Sequence, residues 1–112
     1  MSRSKADLLE YIEAQRAEYR RTLPAKVASF ETLWRDARQA HGSPDPLVDL
    51  ERLAHNLHGT AGTYGFHDLS RAGQALELAV RALMDAGALP TGEQERQVTL
   101  ALDTVRRNLP PQ

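Results

Sequence analysis

An all-α fold, an antiparallel bundle of amphipathic helices, is predicted by three features of the 112-residue sequence. Apolar residues recur at helical spacing almost throughout, no stretch alternates as a strand between turn residues, and the connections between periodic segments are short. Four or five helices fit this pattern.

The first helix runs from about Ser4 to Arg21, with Ser4 and Asp7 placed as a capping box and Leu8, Leu9, Ile12 and Tyr19 as core contacts. Pro24 either opens a second helix at its first turn or kinks a continuous one, because it lacks the N–H that an interior position needs. Val27, Phe30, Trp34 and Ala37 then form one buried stripe, which ends before "HGSPDP". Asp45 and Pro46 are a good N-cap and first-turn pair for the third helix. Its stripe of Leu47, Leu50, Ala54, Leu57, Ala61 and Tyr64 is the most regular in the chain, and Gly65 is its stop. The fourth helix starts near Asp68 and runs to about Ala86, with Leu69, Ala72, Leu76, Val80 and Leu83 inward and Gly87 at its end. Thr91 and Gln94 supply a capping box for the last, whose stripe is Val98, Leu102, Val105 and Leu109. The chain reads as a single domain over 1–112, with a frayed tail at "PPQ" and no internal repeats.

Composition narrows the function. The chain is 41% hydrophobic and 26% charged with a formal net charge of -1, and its basic residues are interspersed with acidic ones. That distribution offers no basic face for nucleic acid. No apolar run approaches the roughly 20 residues of a membrane span, and the charged N-terminus is unlike a signal peptide. With no cysteine, disulfides and thiolate chemistry are excluded, and a cytoplasmic setting is expected. A monomer is expected because the predicted stripes leave no long apolar surface unexplained. The starting Met1 and short tail suggest a free-standing protein.

The segment "LAHNLHGTAGTYGF", Leu53 to Phe66, carries the chemistry. At about 100° per residue, His55 falls roughly 140° from the mean direction of its helix's stripe and therefore faces solvent. Gly59 and Gly62 lie within about 40° of His55 on that face. Each interior glycine costs about 1 kcal/mol relative to alanine. A bare backbone beside His55 fits a partner, or a group on the imidazole, that must lie close; equally, the glycines could admit a neighbouring helix. His58, about 80° from the core direction, borders the bundle and can reach the space above His55. An exposed imidazole leaves one nitrogen free as a nucleophile at neutral pH.

The string from Ala54 to Glu77 resembles the core of the histidine-containing phosphotransfer (HPt) domain family, whose pattern is approximately HxLKG followed by small residues, an apolar position and glycine. His55, Leu57, Gly59, Ala61, Tyr64 and Gly65 meet that pattern, and Gly62, Leu69, Leu76 and Glu77 fit the family's habits. The resemblance implies an antiparallel four-helix bundle with an additional N-terminal helix (about 4–21 before a bundle of about 24–109). It also implies a phosphorelay role, in which His55 accepts a phosphoryl group from a receiver aspartate or a hybrid sensor histidine kinase and passes it to another receiver. The chain would have no cofactor of its own, with Mg2+ supplied by the receiver, and no kinase activity, since it carries no phosphate-binding glycine loop. His58 stands where the family usually has lysine, so any charge it offers the phosphoryl oxygens depends on pH near neutrality. The polar helper on the facing helix, often glutamine in the family, is assigned to Gln74, with Glu77 nearby. Val48, Glu51, Arg52 and Phe66, with Gly59 and Gly62, are the expected receiver-docking positions. Two other readings fit the same residues: an HPt-like adaptor that binds a receiver without transfer, and a metal site built from Glu51, His55, His58 and His67.

Overall fold

A single helix runs from Lys5 to Gln39 in the computed structural model, which describes residues 4–39, 45–86 and 92–112. This helix, α1, is followed by α2 (Asp45–Thr63), α3 (His67–Asp85) and α4 (Gly92–Arg107), and the described residues contain no strand. The stripes predicted from Val27 onward meet in one core, in which Leu23, Phe30, Leu50, Leu76, Val98 and Val105 are almost completely enclosed. Leu47, Tyr64, Ala37 and Leu109 border it. The Gly87 stop and the Thr91 half of the last capping box lie outside the described residues.

Cross-helix contacts fix the topology. Arg16 donates through Nε to the Tyr64 carbonyl at 3.0 Å, and the Tyr19 hydroxyl lies 2.7 Å from Thr60 Oγ1, so α1 and α2 are antiparallel. Trp34 Nε1 donates to Thr99 Oγ1 and Arg106 meets Glu31, which sets α4 antiparallel to α1. With α2 and α3 also antiparallel, the bundle runs up-down-up-down. Burial pushes the Tyr19 hydroxyl above its ordinary pKa, and the Thr60 hydrogen bond opposes that rise.

Two segments differ from the sequence reading. Of the two readings of Pro24, the continuous one holds: the segment set apart as an N-terminal helix of about 4–21 lies, from Lys5 on, within α1, which passes through Pro24. Proline withholds the N–H that the Arg20 carbonyl would otherwise accept. The Gln112 side-chain amide donates to that carbonyl instead, at 3.1 Å. The tail predicted to fray thus fills the gap that proline leaves in the helix.

The second difference is at the other end. At about 1.5 Å per residue, the 35 residues of α1 span about 52 Å whereas the 19 of α2 span about 28 Å. The N-terminal part of α1 therefore outruns its neighbours, and the molecule measures 61 × 22 × 20 Å. Leu8, Leu9 and Ile12, expected in the core, are 51%, 56% and 49% exposed, with Tyr11 beside them. Periodicity identifies the face a helix can bury; it does not supply an element to cover it. This uncovered stripe also removes the ground on which a monomer was expected.

The turn between α2 and α3 closes as anticipated at Gly65, whose φ is +85°. Phe66 N–H donates to Ala61 O at 2.8 Å and Gly65 N–H to Gly62 O at 3.1 Å, the paired hydrogen bonds of a Schellman ending. Tyr64 stacks on Tyr19 at 4.6 Å, and the Arg16 guanidinium lies 4.5 Å above the Phe66 ring, pinning the turn to α1.

Candidate functional site

His55 stands near the middle of α2 with its side chain 65% exposed, as the angular reading requires. Its Nδ1 lies 2.8 Å from Oε2 of Glu77 on α3, a carboxylate whose side chain is only 6% exposed. A carboxylate only accepts, so Nδ1 carries the ring proton and donates it to Glu77. The lone pair is left on Nε2, on the side of the ring away from α3.

Glu77 is itself held. Arg81, one turn further along α3, donates to the same Oε2 at 3.0 Å and through Nε to Glu51 Oε1 at 2.8 Å. The Glu51 hydrogen bond first, and then the Glu77 charge, raise the Arg81 pKa further above its already high ordinary value. Glu51, Arg81, Glu77 and His55 thus form one chain of charged hydrogen bonds joining α2 to α3. The polar residue that reaches His55 from the facing helix is Glu77; Gln74 is exposed and makes no hydrogen bond to it. Arg81 was missed in the sequence, although Glu77 and Arg81 have the i,i+4 spacing, acid first, that favours an ion pair on a helix.

His58 is directed into the α2–α3 seam. Its Nδ1 is 3.0 Å from the Ser70 carbonyl, and Ser70 Oγ donates back to the His58 carbonyl at 2.7 Å. A carbonyl only accepts, so His58 Nδ1 also carries its proton, and its other nitrogen becomes a donor only when the ring is protonated.

The glycines separate. A Cβ on Gly59 would meet nothing within 4 Å, so this glycine bares the backbone beside His55. One on Gly62 would meet Ser70 Oγ at 3.2 Å, so Gly62 makes room for α3 instead. Val48, Glu51 and Arg52 share a shallow cavity with His55, Glu77 and Arg81, and Val48 is 47% exposed. Phe66 does not join them: it is half-buried at the end of the bundle against Tyr19 and Arg16, because the Schellman ending turns it toward α1.

On its other side His55 borders a groove of about 560 Å³ between α1 and α2, whose walls include Lys26, Ser29, Asn56, Gly59 and Thr60. Among the described residues no three His, Asp or Glu side chains converge as a metal site requires, and His67 sits exposed at the start of α3. No helix of the described residues is long and apolar enough to cross a membrane.

The family model for the Hpt domain matches residues 8–108 of the chain. No curated protein and no solved structure matches it.

Proposed function

The chain belongs to the Hpt domain family, and from that premise we propose that it serves a phosphorelay by carrying the phosphoryl group on Nε2 of His55. The observation that carries this reading is the 2.8 Å hydrogen bond from the exposed imidazole to the buried Glu77 carboxylate. It fixes both the tautomer and the direction of the free lone pair.

The chemistry follows from that bond. The Nε2 lone pair attacks the phosphorus of an aspartyl phosphate on a receiver, the Nε2–P bond forms, and the P–O bond to the receiver carboxylate breaks with its electron pair leaving on oxygen. Positive charge that develops on the ring is shared with Nδ1–H, which already points at Glu77. The reverse sequence delivers the group to the next receiver. Phosphoryl transfer is largely positioning and electrostatic stabilisation, and a nucleophile on a packed helix meets the first need before any partner arrives. The receiver brings the magnesium ion that assists the transfer. Val48, Glu51, Arg52 and Gly59 contribute the surface on which it docks, the chain working as a phosphotransfer intermediate and not as a kinase.

Incubation with a phosphorylated receiver or a sensor kinase tests the proposal. An acid-labile, base-stable label on the wild type and none on His55→Ala is the expected result. Absence of transfer from every cognate receiver would sink it.

A further inference from the structure

Three cations flank His55, and they are not equivalent. Arg52 is paired with Asp49 at 3.3 Å, and Arg81 with both Glu51 and Glu77. Arg81 moreover lies on the Nδ1 side of the ring, behind Glu77, whereas Nε2 is directed away from α3. Lys26 on α1 has no ion pair among the described residues; its ammonium rests 4.8 Å from the centre of the Tyr19 ring. A cation–π contact of this kind is worth about 0.5–1 kcal/mol when exposed, less than a charge-assisted hydrogen bond to phosphate.

Lys26 is also at the right height. In the antiparallel α1–α2 pair Arg16 meets Tyr64, and equal steps along the two helices bring Lys26 level with Ala54, the neighbour of His55. Both residues line the same groove, and among the described residues Lys26 is its one lysine or arginine. Position 58, by contrast, offers the groove no fixed charge, since His58 spends its Nδ1 proton on Ser70.

Resting on the reading of His55 as the acceptor, we propose that Lys26 is the residue that binds the phosphoryl oxygens on His55, swinging from the Tyr19 ring across the α1–α2 groove. The positive charge is thus supplied by a neighbouring helix instead of by the turn that follows the nucleophile. Lysine suits this role because its flexible stem lets a compact charge follow an incoming group.

The test uses phosphoramidate with the purified chain, so that no partner is involved: the Nε2–P bond forms, the P–N bond breaks, and ammonia leaves with the electron pair. Labelling is followed by 31P NMR in wild type, Lys26→Met, Lys26→Arg, His58→Ala and His55→Ala. Loss of one charge-assisted hydrogen bond to the phosphoryl group slows labelling about tenfold in Lys26→Met, and Lys26→Arg restores most of the rate. In Lys26→Met the 31P titration of the phosphoryl group also moves up by about one pH unit, a change that altered packing alone does not produce. Wild-type labelling and an unmoved titration in Lys26→Met overturn the proposal, as does a loss confined to His58→Ala. No histidine label on the wild type defeats the underlying assignment of His55, an outcome distinct from an effect absent only at Lys26.

Discussion

Glu77 is the residue on which the site turns. It is buried, yet it accepts from both the neutral His55 imidazole and the Arg81 guanidinium, so its desolvation is offset by one charged donor and one neutral one. Replacing it separates orientation from charge. In Glu77→Gln the amide oxygen can still accept the Nδ1 proton, but the negative charge facing the developing imidazolium is gone, and transfer to His55 is expected to slow about tenfold. In Glu77→Leu both are lost and Arg81 keeps only Glu51, so the rate falls further and the melting temperature drops. Phosphotransfer kinetics read beside thermal denaturation check this; a Glu77→Gln rate equal to wild type would mean that the carboxylate only positions the ring. The outward direction of His55 was legible in its angle on α2. Its partner was not, because choosing between Gln74 and Glu77 depends on the rotation of α3 about its own axis, which is set by packing against α2 and α4 and not by the apolar stripe alone.

At the scale of the helices, that rotation is constrained where Gly73 of α3 packs against the backbone of α2. A Cβ on Gly73 would stand 3.1 Å from the His58 backbone nitrogen, which cannot move without shifting α2, and 3.3 Å from Cγ of the buried Leu57 side chain. Gly73→Ala is therefore expected to lower stability, the crowding outweighing the gain of about 1 kcal/mol in helix propensity. Gly59→Ala has the opposite sign: with open space around the new methyl, stability rises by about 1 kcal/mol. Denaturant titration of the two variants measures the contrast, and equal signs would contradict it. Sequence spacing grouped Gly59 with Gly62 and did not single out Gly73. Absence of a side chain is visible in a sequence, whereas the identity of what approaches it is a tertiary fact. The boundaries of α2 and α3 were more accessible, since Asp45, Pro46 and Gly65 act through local backbone chemistry. Pro24 was ambiguous for the converse reason: its gap is filled from a distant part of the chain, by Gln112.

Across the whole molecule, the core and the projecting end of α1 respond differently to truncation. Leu23→Ala, at a fully buried site, is expected to cost about 2–5 kcal/mol. Leu9→Ala and Ile12→Ala, half exposed on the projecting end, should each cost less than about 1 kcal/mol in the isolated chain. Thermal denaturation at low protein concentration checks the difference, and a large loss at Ile12 would mean that the stripe is covered in solution. The all-α fold was readable because long helices announce themselves by period; the unequal lengths of α1 and its neighbours decided which part of that period became core.

The 65% exposure of the His55 side chain has a further consequence once a phosphoryl group is attached. Water reaches the same Nε2–P bond that a receiver must reach, so hydrolysis and onward transfer compete for it. If His55 is the acceptor as proposed, its openness gives the cargo a finite lifetime, and a docked partner both receives the group and shelters it. In the proposed role, such a carrier suits relays whose components meet sooner than the bond decays.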